Sequence, residues 1–446
     1  MTFDRDVALP RGSGAHGFDG LDRNVAPRVT PFGHLDMPAD IVELLPNGIT
    51  LHRAVGGTQP VCTVTILISG GMAELGDAVA RLMVSQLSDG SEHYDAEAFA
   101  DEMDFYGVRQ SARVDSHYIV VEASMLSERL PDALPVVLDA ILYPAFPADR
   151  LEVHKARLCE VLKMAANDPA VFVDDKMRPL VMGAYHPLAQ VLTPELVMEV
   201  STEQLRRAHR RVMNPAAFNV YLSGRVSEDA LDALRACLGN LTCPDSEPIA
   251  LDIRPFDYNA TGTVHTYVMA NKQLNQAGIK MTLPAPDRAH PDYVPLRYAV
   301  MALGGYFGSR LMSNIREEKG LTYGISASLI GYRDGSYVEI STLTDFSYTE
   351  QVIEEIKAEL VNLATNPPRG DEFDRLHRHA GTALAELLDN PTSVMSYYAG
   401  RLLVGSPDGY FDRQQEVLAA LTPELISAIA ARYLSPSRLT IVHTVR

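Results

Sequence analysis

The sequence predicts an α+β fold built twice, each half a mostly antiparallel sheet covered by helices on one face. Three observations predict it. At 446 residues the chain is too long for one ordinary core. Strand-type periodicity is grouped at the ends of each half, with long helical stretches between. Finally, landmarks recur at a nearly constant spacing of roughly 220 residues, the mark of a duplicated unit. Glu203, Arg211, Pro215 and Val220 are answered by Glu424, Arg432, Pro436 and Ile441; Asp168-Pro169 is answered by Asn390-Pro391, and Pro144 by Pro367.

This repetition divides the chain into an extended N-terminal arm over residues 1–45, a first α/β domain over 46–239, a linker over 240–262, and a second α/β domain over 263–446. The arm is rich in Gly, Pro and Asp and has little periodicity, so it orders only against a body or a partner. Regular structure begins with β-rich runs at Gly48–Val55 and Val61–Ser69. Helices are expected from Leu75 to Leu87 and from Asp95 to Phe105, the second closed by Tyr106-Gly107. Paired strands follow at Val108–Val114 and His117–Ser124, then helices over Leu130–Leu142 and about 149–166. His186-Pro187 reads as a turn. A helix at Thr202–Val212 runs through Asn214-Pro215 into the strand Phe218–Leu222, and a helix at Ser227–Leu238 precedes the proline-bearing linker.

The second half holds the stretch with most chemical content, Leu303–Leu329. Leu296, Val300, Leu303, Phe307, Leu311 and Ile315 recur every three or four positions, which predicts one buried face of a helix from Leu296 to Ile315. Lys319 and Gly320 end it, a cation at the negative terminus and a glycine suited to the left-handed position beyond. After Gly320 the period drops to two, with Leu321, Tyr323, Ile325, Ala327 and Leu329 on one face of a strand. Arg316 and Tyr323 bracket the corner. A cation and a phenol at such a mouth suit a carbonyl or an oxyanion. By parity alone Tyr323 is a core aromatic, and Arg316 alone is a solvated cation complementing the helix dipole.

Composition excludes several function classes. The net charge of −18 repels phosphate backbones and anionic lipid, against a nucleic-acid partner. Cys62, Cys159, Cys237 and Cys243 form no CxxC pair, so neither a zinc knuckle nor a disulfide framework is indicated. The N-terminus has no signal-peptide core and no apolar run is long enough to span a membrane, so the expected location is the cytoplasm.

From about residue 45 to the C-terminus the sequence resembles the pitrilysin-type (insulinase-like) zinc metallopeptidases, in particular their bacterial branch similar to the mitochondrial processing peptidase. The resemblance is carried by LGGYFGSRLMSNIREEKGLTYGI (Leu303–Ile325), the preceding HPDYVPLRYAVMALGG, and the duplicated helix-Pro-strand ends. It implies two similar α/β-roll domains closing like a clamshell on unfolded or short peptides. It also implies a zinc site on a first half, faced by an arginine and a tyrosine from a second half. By that likeness Arg316 binds a substrate carbonyl and Tyr323 helps stabilise the tetrahedral oxyanion.

The departure from the family pattern is equally informative. Active members carry His-x-x-Glu-His on the first long helix. The corresponding stretch here, LGDAVARLMVSQLSDGS, has no histidine. Anchored on Gly76, the motif positions fall on Val79, Leu82 and Met83; anchored on Gly90, on Arg81, Val84 and Ser85. The third ligand position falls on Val161, next to Glu160, which reads as a surface carboxylate. His377 and His379 are two apart on a helix and face different ways.

The resemblance therefore implies a noncatalytic, peptide-binding subunit with no cofactor of its own. Zinc is expected in a partner subunit carrying His-x-x-Glu-His, with which this chain forms a heterodimer that acts as a metalloendopeptidase; by itself the chain is inactive. In isolation it is open to forming a homodimer. The alternative is a structural or peptide-binding scaffold of the same fold with no proteolytic role.

Overall fold

In the computed structural model, residues 33–242 and 248–446 are described. The expected arm lies outside them over residues 1–32, as does Cys243. Regular structure starts earlier than the sequence predicts. Ile41–Leu44 forms a short strand, β1, which pairs antiparallel with β2 (Thr50–Val55). The first sheet continues with β3 (Val61–Ser69), β4 (Arg109–Val114), β5 (Tyr118–Leu126) and β6 (Phe218–Gly224), in the order β1-β2-β6-β3-β5-β4. The second sheet holds β7 (Val264–Val268), β8 (Gln276–Pro284), β9 (Thr322–Gly331), β10 (Ser336–Asp345) and β11 (Thr440–Val445), in the order β7-β11-β8-β10-β9.

The two sheets share one plan. In each, the last strand in sequence inserts beside an early one as a parallel neighbour, β6 with β2 and β11 with β7; the pairings beyond are antiparallel. Among the described residues a hairpin strand forms one edge of each sheet, β4 in the first and β9 in the second. Apart from β1, every strand of the first sheet has a counterpart in the second. The fold is α+β, with two antiparallel-dominated sheets.

The covering of the sheets is richer than the sequence predicts. Helices of each half pack on one face: Leu82, Phe99, Leu134, Leu205 and Leu234 join Val64 and Ile66 of β3 in the first core. The other face is covered by a helix from the opposite half. The helix Pro391–Val404 lays Val394, Met395 and Ala399 on Leu67, Val120 and Tyr221 of the first sheet. Reciprocally, the helix Pro169–Met182 lays Val173 and Met177 on the second sheet, beside Tyr337 and Val442.

These are the helices opened by the repeated Asp-Pro and Asn-Pro pairs. Asp168 and Asn390 cap them, accepting from the N–H groups of Ala170 (2.8 Å) and Ser393 (2.9 Å), and a proline occupies the first turn of each. The exchange explains why β3, β5, β6 and β8 are buried almost continuously instead of alternating, whereas the edge strand β4 alternates.

The helix expected over Leu75–Leu87 forms as Asp77–Ser85, and Gly76, at a φ of 82°, sets it off from a short helix at Met72–Leu75. One predicted helix is broken, at the corner described next. Residues 248–262 form no helix or strand, and no single helix among the described residues is long and apolar enough to cross a membrane.

Candidate functional site at the second-sheet edge

The helix Tyr293–Gly304 buries Leu296, Val300 and Leu303, as its period predicts. It stops at Gly304-Gly305 instead of continuing to Ile315. A Cβ on Gly304 would lie 2.6 Å from the backbone nitrogen of Ala327, so glycine lets the helix end touch β9. The chain then turns and re-enters a wide π-type helical segment, Met312–Glu318, which carries Arg316. Leu311 and Ile315 return to the core, but Phe307 falls in the break and is 60% exposed, contrary to the predicted helix face. Its ring packs instead under Arg316, whose guanidinium carbon is 4.8 Å from the ring centre. Gly320 has the expected left-handed conformation, and Lys319 pairs with Glu355.

Strand β9 starts with an irregularity that decides where Tyr323 points. Ile325 pairs with Thr342 and Thr322 with Thr344, so β9 has one residue more than β10 across this step. The bulge at Tyr323-Gly324 breaks the parity that would place Tyr323 with Ile325 and Ala327. Those two are buried; Tyr323 is 93% exposed. The core-aromatic reading is thereby excluded. The bulge is held by two threonines: the hydroxyls of Thr322 and Thr342, 2.9 Å apart, reach the Gly324 carbonyl at 3.0 and 2.8 Å, and the Gly324 N–H donates to Thr322. Arg316 Nε donates to the Tyr323 carbonyl at 3.1 Å, tying the corner's two candidate residues together. Both line an open pocket with Gln276, Leu343 and Tyr348.

The first-half counterpart lies beside the edge strand β4. Arg81, Val84 and Ser85, on the helix Asp77–Ser85, line one depression with Val161 of the helix Ala148–Ala165. Of the two registers read from sequence, the one anchored on Gly90 faces this depression. The Gly76 register places two positions, Leu82 and Met83, each 1% exposed, in the hydrophobic core; the Gly90 register places one there, Val84 at 6%. Glu160 is exposed and pairs with Lys163 at 2.7 Å. His377 donates to the Leu418 carbonyl while His379 stacks on Tyr306, so the two do face apart.

Several known proteins resemble this chain. The sequence profile described as "Peptidase M16 inactive domain" matches residues 199–378. An uncharacterized zinc protease of Streptomyces coelicolor is 23% identical over 349 residues, covering 77% of this chain and 75% of that protein. Another, from Bacillus subtilis, is 21% identical over 356 residues, covering 79% and 85%. Among solved structures, a peptidase M16 inactive domain from Pseudomonas fluorescens superposes with a TM-score of 0.80 at 19% identity, covering 91% of this chain and 98% of the other. A protease from Helicobacter pylori gives 0.81 at 16%, covering 92% and 100%. The chain is similar to M16 peptidases, and its residues 199–378 match their inactive domain.

For an M16 homologue the first-half depression is where zinc is implied, and its side chains do not fit that ion. Arginine is a fixed cation without a free lone pair, valine has no donor atom, and a serine hydroxyl is a poor substitute for imidazole or carboxylate; the one imidazole in the lining, that of His154, is engaged with Asp89 at 2.6 Å. Among the described residues no group of three or more His, Cys, Asp or Glu side chains is gathered to hold a metal.

One polar cluster of the chain has no counterpart among the features predicted from the sequence. His117, wholly buried, bonds through Nδ1 to Glu74 (2.7 Å) and through Nε2 to Asp334 (2.6 Å). Glu74 also accepts from the N–H groups of Gly71 and Asp252, and Asp334 from that of Arg254. His186, read from sequence as a plain turn residue, lies 3.5 Å from Asp334 and donates to the Arg254 carbonyl at 2.9 Å. Burial disfavours the imidazolium of His117, but the bonds to Asp334 and Glu74 outweigh it and raise its pKa to about 9. Burial likewise opposes ionisation of the two carboxyls. Bonds from His117, aided by His186 at Asp334 and by backbone N–H groups, hold both below the usual range. No periodicity or short motif links residues so far apart in sequence.

Proposed function

We propose that this chain is the noncatalytic, peptide-binding subunit of a two-chain M16 metallopeptidase, offering Arg316 and Tyr323 to a zinc site on a partner that carries His-x-x-Glu-His. The supporting observation is the orientation of Tyr323: a large amphipathic side chain at 93% exposure on a bulge at one edge of the second sheet. An aromatic held out in water by a threonine-braced backbone is arranged to meet something outside the chain. The phenol O–H is a donor for a developing oxyanion, and the guanidinium, with Nε on the Tyr323 carbonyl, its face on Phe307 and Nη1 3.9 Å from the Glu317 carboxylate, has its remaining N–H groups for a substrate carbonyl. Metal chemistry belongs to the partner in this reading, because Arg81, Val84, Ser85 and Val161 supply no ligand.

The test is co-purification with an M16 chain carrying the motif, followed by metal analysis and peptide-cleavage assays on each chain and on the mixture. Cleavage by the mixture and not by this chain is expected. Stoichiometric zinc with peptide cleavage by this chain alone overturns the proposal, and an assembly that forms without hydrolysing peptides makes the chain a scaffold.

A further inference from the structure

A cavity of about 170 Å3 lies between the two repeats. An apolar void of roughly 150 Å3 holds a benzene ring, so this one has room for a single small molecule and not for a peptide. Its floor is apolar. Met177 and Val181 of the crossing helix Pro169–Met182, and Leu188 beyond it, are buried there, and the rings of Tyr332 and Tyr337 stack within 16° of parallel beside them. Charged groups of both signs stand in the wall above this floor, an arrangement suited to fixing the orientation of a ligand.

The charges are set at two ends. On the second-sheet side, Lys280 Nζ of β8 lies 2.6 Å from Asp174 and 3.0 Å from Glu339, so two carboxylates share one ammonium. Arg178, one turn from Asp174 on the same helix, gives Nη2 to Asp174 at 3.2 Å and to Asp175 at 3.1 Å. Carboxylates therefore outnumber cations by one at this end, and Glu339 is the carboxylate with the fewest partners. On the first-half side stands Arg81 of the helix Asp77–Ser85. It gives Nε to Asp77, and its side chain is 47% exposed, with Nη2 3.7 Å from the Met72 sulfur. A weak sulfur acceptor leaves that nitrogen able to turn to a stronger one. The cavity thus offers carboxylate oxygens at one end and guanidinium N–H groups at the other.

We propose that this cavity binds one free apolar α-amino acid, with its ammonium on Glu339 and Asp174, its carboxylate on Arg81 and Arg178, and its side chain on Met177, Val181 and Leu188. A zwitterion gives each end a partner of opposite sign and brings no net charge into the cavity, which neither an amine nor a carboxylate alone can do. The walls come from both repeats, so the bound amino acid bridges the two halves and stabilises the folded chain. The proposal goes beyond the two-chain reading: the cavity shares no lining residue with the pocket at Arg316 and Tyr323, and binding requires neither a partner nor a metal.

The experiment is isothermal titration calorimetry of the purified full chain at pH 7 with L-leucine and its two half-analogues. These are 3-methylbutylamine, which lacks the carboxylate, and 4-methylpentanoate, which lacks the amine. L-Leucine is expected to bind saturably and to raise Tm by at least about 2 °C at a hundredfold excess over its Kd. Each half-analogue should bind at least tenfold more weakly. Glu339→Gln and Arg81→Ala should each weaken L-leucine at least tenfold. Gln190→Trp, at an exposed position in the cavity lining, should abolish binding while the ligand-free Tm holds. Tyr323→Phe should leave the affinity unchanged. Absence of L-leucine binding, a half-analogue that binds as tightly, or an affinity that neither charge substitution moves overturns the proposal. Loss of peptide cleavage by the two-chain assembly alone leaves this affinity untouched, so the two readings fail separately.

Discussion

His117 Nε2 and Asp334 Oδ2 are 2.6 Å apart with both side chains wholly out of water, and the bond joins the β4–β5 hairpin of the first sheet to the β9–β10 hairpin of the second. These hairpins are counterparts in the duplicated plan, so the buried ion pair lies where the two repeats meet. Glu74 on the other side of the imidazole, with Asp252, Arg254 and His186 around the carboxylates, draws the segment before β7 into the same knot.

The knot makes stability depend on pH in a definite direction. The pKa of His117 rises from an ordinary 6.5 to about 9 on folding, so its contribution is complete below 6.5 and is lost as pH climbs through 9. Glu74 and Asp334 are held below their ordinary values, so their contribution is present above about pH 4 and is lost under acid. Urea unfolding should therefore show greatest stability near pH 5 to 6.5 and a decline toward pH 10. His117→Asn leaves two buried carboxylates without their cation and should cost about 3–5 kcal/mol at pH 6. The variant should also lose most of the alkaline decline; if it keeps the full slope, the slope has another origin.

Tyr323 and Arg316 should behave in the opposite way, mattering for turnover and little for folding. With its ring in solvent, Tyr323→Phe is expected to change unfolding free energy by less than about 0.5 kcal/mol. In the two-chain assembly the same change should lower kcat by roughly a hundredfold, the scale of losing one oxyanion donor, without weakening assembly. Arg316→Lys keeps the charge but loses the fork and the stacking on Phe307, and should raise KM. Parallel losses of assembly and turnover would show that these side chains hold the interface instead.

A glycine marks the helix exchange and gives it a test. A Cβ on Gly278 of β8 would lie 2.3 Å from the carbonyl oxygen of Pro169, at the start of the crossing helix. Backbone on both sides cannot yield as a side chain does. Gly278→Ala should destabilise by about 1–3 kcal/mol or more, read as a lower Tm. Gly324→Ala, where a Cβ meets nothing within 4 Å, should be near neutral. Equal Tm values for the two variants would mean that the helix is not held tightly on the second sheet.

What was legible in the sequence follows from the range of each signal. Offsets such as Pro215 to Pro436 revealed the duplication because they need only the chain's own order. Asp168-Pro169 and Asn390-Pro391 are legible as repeat landmarks, but such a pair says neither that a helix follows nor which sheet it crosses to, so the two helices and their exchange stayed hidden. Phe307 kept helical phase with Leu303 and Leu311, and only the contact of Gly304 with Ala327 shows that the helix stops between them. Tyr323 kept strand parity with Ile325, and the extra residue at Gly324 cancels it. Local periodicity carries through a break unnoticed when residues on both sides are apolar, and the candidate site is built from two such breaks.

The register of the degenerate first helix can be tested by rebuilding a site in it. Arg81, Ser85 and Val161 share one depression with Val84, and positions 81 and 85 lie one turn apart on the same helix face. Replacing Arg81→His, Ser85→His and Val161→Glu together, with the buried Val84 left in place, should give a folded chain that retains about one zinc after dialysis, measured by elemental analysis, where the natural chain retains none. The competing placement, Val79→His, Leu82→Glu and Met83→His, puts a carboxylate and an imidazole into the core occupied by Leu82 and Met83 and should unfold the domain. Zinc retained by the second variant and not by the first would reverse the assignment.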